Sequence, residues 1–226
     1  SSSLGSSLLV ERNYSLTHQQ GTVELLPDFP YPSIAQWAKA TSQPLEKLVF
    51  LDTETSGLAG GTGTFVFMIG LGYWRGNEFT VRQLFMRDPS EELGLLASLD
   101  EILSGFNTLV TFNGKSFDVP LLNTRYILNK YCSPLRDKQH LDILMLARRV
   151  WRNRLSDRSL GSLETNILKF KRSEEEIPGW MVPDIYYEYL RTGNAQPLAG
   201  VFYHNEMDIV SLAAIFRHLA LVIESP

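Results

Sequence analysis

The segment that most constrains this chain is Leu48-Val49-Phe50-Leu51, followed at once by Asp52-Thr53-Glu54. An unbroken apolar run of strand length is buried on both faces, which places it in the interior of a sheet covered on two sides. The acids that follow must stand where this strand leaves the core. Strand residues i and i+2 point the same way, so Asp52 and Glu54 project from one face. Two neighbouring carboxylates repel each other, and a cation between them removes the repulsion. In isolation a D-x-E at a strand end has a plainer reading, a solvated terminus.

The rest of the chain alternates between the two hydrophobic periods. Residues 65–74 are strand-like, 78–85 alternate, and Arg75-Gly76-Asn77 between them suits a hairpin. Leu93, Leu96, Leu99 and Leu103 mark a helical stripe. A short strand at 107–112, a helix at 117–131, a strand at 138–141, a helix at 142–151 and an amphipathic helix at 208–223 follow. Three strands in meander, then strands joined through helices, predict an α/β fold. Its mixed five-stranded sheet has antiparallel first strands, then parallel ones, with helices on its faces. Residues 46–226 form one domain on this reading. Residues 1–45, broken by Pro27, Pro30 and Pro32, are an N-terminal extension, partly irregular, with a short helix at 33–40.

Several classes are excluded or disfavoured. The longest apolar run, residues 65–74, is too short and too glycine-bearing to span a membrane, and no secretory pattern opens the chain, so a cytoplasmic location is expected. The single cysteine, Cys132, rules out an internal disulfide and a Cys-based zinc site, and reads as a small buried hydrophobe. A net charge of −4 argues against a generic nucleic-acid binder. That average conceals a division: residues 136–172 hold ten Lys or Arg against four Asp or Glu, net +6.

Two more acids stand at element junctions. Asp118, in TFNGKSFDVPLL, follows a strand and a turn and opens a helix, where an acid also offsets the helix dipole. Asp208, in YHNEMDIVSLAAIF, sits on an otherwise apolar helix, in its first turn with Asn205 as cap on the plainer reading. In an α/β sheet such junctions converge at one edge. Carboxylates converging there call for hard divalent cations, Mg²⁺ or Mn²⁺, and a pair of these suits phosphodiester displacement.

At this point the blocks DTETSGL, NGKSFDVP and HNEMD resemble the three motifs of the DEDD 3′–5′ exonucleases. With HLDILMLARRVW, SLGSLETNIL and IPGWMVPDIYYEYLRTG, the chain resembles the YprB-type RNase H-like exonuclease family over about residues 47–223. The resemblance implies an RNase H-like fold and two bound metal ions. Asp52 would bridge both, Glu54 and Asp208 would complete the first, and Asp118 would hold the second. Thr53, Gly57 and Leu58 would border the terminal nucleotide. The implied partner is nucleic acid with a 3′ end, DNA rather than RNA, in repair and alongside a helicase.

One departure from the DEDD pattern decides the fifth residue. One subclass has a histidine with four residues before the last Asp, the other a tyrosine with three. Here Tyr203 has four and His204 three. His204 and Asp208, at i and i+4, share a helix face, and imidazole titrates near neutrality. His204 is therefore the expected general base, and Tyr203 packs or orients. In the basic stretch, Arg148, Arg149 and Arg152 suit phosphate oxygens and Trp151 suits a base, unless Trp151 belongs to the core. Asn113 and Lys115, just before Asp118, are further candidate substrate contacts. The expected activity is removal of nucleotides from a 3′ end as 5′-monophosphates. The alternatives are an RNase H-like structure-specific endonuclease and a catalytically silent nucleic-acid-binding module.

Overall fold

The computed structural model describes residues 7–57 and 63–224. Along the chain come β1 (Leu8–Ser15), β2 (Gln19–Gln20), β3 (Val23–Glu24), α1 (Pro32–Trp37), β4 (Leu48–Thr55), β5 (Val66–Arg75), β6 (Glu78–Phe85), α2 (Glu92–Leu103), β7 (Thr108–Thr111), α3 (Asp118–Leu128), β8 (Gln139–Asp142), α4 (Ile143–Val150), α5 (Leu160–Leu163), α6 (Val182–Thr192) and α7 (Leu198–Glu224). The main sheet runs β1-β6-β5-β4-β7-β8, while β2 and β3 form a separate small ladder. The pairs from β1 to β4 are antiparallel, and β7 and β8 add in parallel.

This is the expected mixed α/β sheet flanked by helices, with β4 in its interior, but with six strands rather than five. The sixth, β1, comes from the N-terminal extension and pairs with β6 from Leu8↔Phe85 to Ser15↔Glu78. Most of its side chains face solvent, so neither an apolar run nor a clean alternation marks it. Its place is fixed by ladder hydrogen bonds and by Glu11, which accepts from Arg82 at 2.6 Å and Arg75 at 2.8 Å. An edge strand with charged side chains also resists further pairing.

The central strand sorts the core into two layers. Leu48 and Phe50 pack with Phe79, Trp74 and the α7 residues Ile209 and Phe216. Val49 and Leu51 pack on the other side with Leu95, Leu99, Leu122 and Tyr126 of α2 and α3. By the same alternation Asp52 and Glu54 continue the face turned toward α7, and Thr53 the face turned toward α3.

Three expectations need correction. Helix α7 begins at Leu198, right after Pro197, so Asn205 and Asp208 lie inside the helix rather than at its cap and first turn. Trp151 is 2% exposed and tilted against His218 in the core, which removes it as a base-stacking residue. Cys132 is exposed in the loop after α3, rather than buried. Among the described residues no helix is long and apolar enough to cross a membrane.

Candidate active site

The site forms where β4 runs out of the core. Asp52 lies opposite Gly70 of β5. A Cβ at Gly70 would sit 2.3 Å from Asn205 Oδ1, so glycine is what lets α7 approach the sheet here. Asn205 is fully buried and its amide is spent in two directions. Its Nδ2 donates to Asp52 Oδ2 at 2.9 Å, and its Oδ1 accepts from Gln83 Nε2 at 3.1 Å. The amide thereby fixes the rotamer of the first acid.

Two residues on, Glu54 meets α7 again. One ligand atom each from Glu54, His204 and Asp208 lie within 4.8 Å of one another. His204 Nε2 stands 3.6 Å from Asp208 Oδ2, one helical turn away, and His204 Nδ1 is 2.7 Å from Glu176 Oε1. Tyr203 points elsewhere: its hydroxyl accepts from the Ser173 amide at 2.8 Å.

Asp118 arrives from the other side. It opens α3, and its Oδ1 accepts from Thr53 Oγ1 at 2.5 Å. The turn before it is organised by Asp142 at the end of β8. Asp142 Oδ1 accepts from the amides of Asn113 and Leu144, and Oδ2 from the amide of Lys115 at 3.0 Å. These bonds offset the left-handed backbone of Asn113, φ 66°.

The electrostatics follow from crowding. Burial, with Asp208, Glu54 and Asp118 close by, raises the Asp52 carboxyl well above the ordinary range, against the donation from Asn205. Burial pushes Glu54 to about 8, with His204 opposing and Asp208 and Asp118 adding to the rise. Burial pushes Asp118 to about 6, tempered by the Thr53 hydroxyl. Burial alone would lower His204, but Glu176, Asp208 and Glu54 outweigh it and raise the imidazole to about 9. The protein thus holds surplus negative charge that protons partly neutralise. Carboxylate oxygens with one imidazole, gathered within a cation's reach, are a donor set that suits a hard divalent ion.

Sequence patterns missed an inner cation. Arg172, counted in the basic stretch, is turned inward onto Asp208. It also pairs with Glu164 at 2.7 Å and Glu176 at 3.0 Å. Glu164 opens a π-helical turn, Glu164–Leu168, and is buried. Nothing local distinguishes Glu176 from Glu174 and Glu175 before it, so its contact with His204 becomes visible only in three dimensions.

The expected substrate residues are dispersed. Thr53 is engaged with Asp118, as above. Gly57 carries a carbonyl that accepts from Thr55 Oγ1 at 2.9 Å. Leu58 lies outside the described residues. Asn113 and Arg148 line one cleft of about 620 Å³ with Arg158. Lys115 and Arg152 are exposed. Arg149 is not directed to that cleft: its guanidinium lies 4.1 Å from the Trp37 ring centroid.

A family model described as the RNase_H superfamily matches residues 49–220. A protein of Bacillus subtilis (strain 168), described as "Uncharacterized protein YprB", is 33% identical over 221 residues, covering 94% of this chain and 53% of that protein. The chain therefore spans about half the length of this curated relative. With a β4 that carries its acids out of the middle of a mixed sheet and onto α7, the chain belongs to the RNase_H superfamily, as an RNase H-like protein of the YprB type.

Proposed function

We propose that this chain is a divalent-metal-dependent 3′–5′ exonuclease that hydrolyses the terminal phosphodiester of DNA and releases nucleoside 5′-monophosphates. The observation that carries this reading is the convergence of Glu54, His204 and Asp208 within 4.8 Å, beside Asp52 on the same strand face. Two bound ions, Mg²⁺ or Mn²⁺, would supply charge stabilisation at the attacking and leaving oxygens.

The chain's own residues do the rest. Asp52, Glu54, Asp118 and Asp208 are the residues that would hold the ions. Thr53 and Asn205 keep Asp118 and Asp52 in one rotamer each, so little reorganisation is left for the reaction. His204, tethered through Nδ1 to Glu176, presents Nε2 to the space beside Asp208. The carboxylates' surplus charge holds its proton, and neutralising that charge frees Nε2 to accept one from the attacking water. Asn113 and Lys115, in the turn before Asp118, and Arg148, which shares a cleft with Asn113, would meet the phosphates of the incoming strand, with Arg152 as a further contact. A role in repair beside a helicase rests on the family resemblance.

The deciding experiment is Mg²⁺- or Mn²⁺-dependent release of mononucleotides from 3′-ended single-stranded DNA, duplex DNA and RNA, with Asp52→Ala as control. Loss of release in the variant is expected. Cleavage of a closed circle would instead establish the endonuclease reading, and binding with no cleavage under either metal would leave a silent binding module.

A further inference from the structure

The geometry points to Trp180 as a stacking platform for an unpaired base next to the scissile phosphate, a role that rests on the nuclease reading above. Trp180 is 66% exposed, the largest solvent exposure among the described tryptophans, against 36% for Trp37, 5% for Trp74 and 2% for Trp151. Trp37 is in addition covered by Arg149. An indole this open leaves a large aromatic face available for stacking.

Its position ties it to the site. The preceding residue, Gly179, lies against His204: a Cβ built there would be 3.4 Å from Nε2, the same atom that faces Asp208. Trp180, one residue on, therefore stands at the margin of the carboxylate cluster. An added Cβ at 179 would rest in ordinary van der Waals contact with the imidazole, so the turn that displays the indole packs directly beside His204.

The presentation is rigid. Pro178 leads into the turn Gly179–Met181, the Met181 amide donates to the Pro178 carbonyl at 2.8 Å, and Pro183 stands in the first turn of α6. Val182 is buried, and Tyr186 stacks on Phe67 with ring centroids 3.9 Å apart and donates to the Met86 carbonyl at 3.1 Å. The segment is thus anchored in the core on the side after the indole, and the indole itself stays outside. A pre-ordered aromatic loses little conformational entropy on binding, and a base offers it a π-face whatever the sequence.

The test uses the full chain, a short oligothymidylate and an abasic oligonucleotide of equal length, with Asp52→Ala as the non-cleaving background. Oligothymidylate should quench tryptophan emission, while the abasic strand should not. Trp180→Ala should abolish the quenching and weaken oligothymidylate binding about ten-fold, leave binding of the abasic strand unchanged, and leave the melting temperature near the parent's. Trp180→Phe should recover most of the affinity. Cleavage by the parent enzyme together with unchanged oligothymidylate affinity in Trp180→Ala overturns this role alone. Absence of both binding and cleavage in the parent overturns it together with the nuclease reading.

Discussion

The two oxygens of Asp208 face different cationic groups: Oδ1 is ion-paired with Arg172, and Oδ2 lies 3.6 Å from His204 Nε2. Arg172 also neutralises Glu164 and Glu176, so one guanidinium serves three acids around the site. Without it, three largely enclosed carboxylates lose their shared partner. Arg172→Ala should cost about 3 kcal/mol of stability in EDTA, the usual scale for removing one side of an enclosed ion pair. In Mg²⁺ the loss should be smaller, because the ion supplies charge beside Asp208. Urea titrations under both conditions check this. Equal losses with and without Mg²⁺ would show that Arg172 and the ion act independently.

The titrations give a pH dependence with a definite sign. Glu54 rises from 4.5 to about 8, Asp118 from 3.8 to about 6, and His204 from 6.5 to about 9. All three bind protons more tightly in the folded chain, so stability falls as pH rises. The carboxyl contributions are complete below their unfolded values and are lost as pH climbs through about 6 for Asp118 and about 8 for Glu54. The histidine contribution is complete below 6.5 and lost through about 9. The melting temperature in EDTA should therefore decline from pH 5 to 9, and saturating Mg²⁺, which favours the ionised acids, should flatten or invert the slope. A metal-free melting temperature that rises over this range would contradict the crowded-carboxylate picture.

Gly70 carries a steric prediction. A methyl group there meets Asn205 Oδ1 at 2.3 Å and forces the amide away from Asp52 and Gln83. Gly70→Ala should cost about 1–3 kcal/mol by overpacking. It should also weaken Mn²⁺ binding, because Asp52 loses its fixed rotamer. Asn205→Ala in the Gly70→Ala background relieves the clash without restoring the donor. The double variant should therefore regain stability but not metal affinity, as read by thermal melts and Mn²⁺ titration. Recovery of both would mean that Asn205 does not orient Asp52.

What was legible in the sequence was local. The apolar run at 48–51 with its D-x-E carries the strand period and the site's first two acids within seven residues. Gly76-Asn77 announces its hairpin, and Gly76 indeed takes φ 60°. The misreadings concern residues whose environment is set from far along the chain. Strand β1 exists through its pairing with β6 and shows no core pattern of its own. Trp151 stands among arginines in sequence, yet the helix turns it onto α7. Asn205 resembles a cap when read beside Asp208, and only the helix start at Leu198 shows otherwise. Arg172, Glu164 and Glu176 are ordinary surface-type residues until folding encloses them around Asp208 and His204.

The exchanged order of Tyr203 and His204 has a geometric outcome that kinetics can read. His204 faces Asp208 and Glu54, whereas the Tyr203 hydroxyl is occupied by the Ser173 amide. An imidazole that accepts the proton of the attacking water is worth about 10²–10⁴-fold in rate. His204→Ala should therefore lose at least about a hundred-fold in kcat on single-stranded DNA while keeping its affinity for the strand. Tyr203→Phe removes one hydrogen bond to a loop and should change kcat by less than about ten-fold. Glu176→Gln keeps a hydrogen-bonding partner for Nδ1 but removes a charge that makes Nε2 more basic, so the imidazole becomes a weaker base and the kcat loss should fall between the two. A larger loss in Tyr203→Phe than in His204→Ala would reverse the assignment, since the phenol would then be the group acting on the water and the imidazole a packing residue.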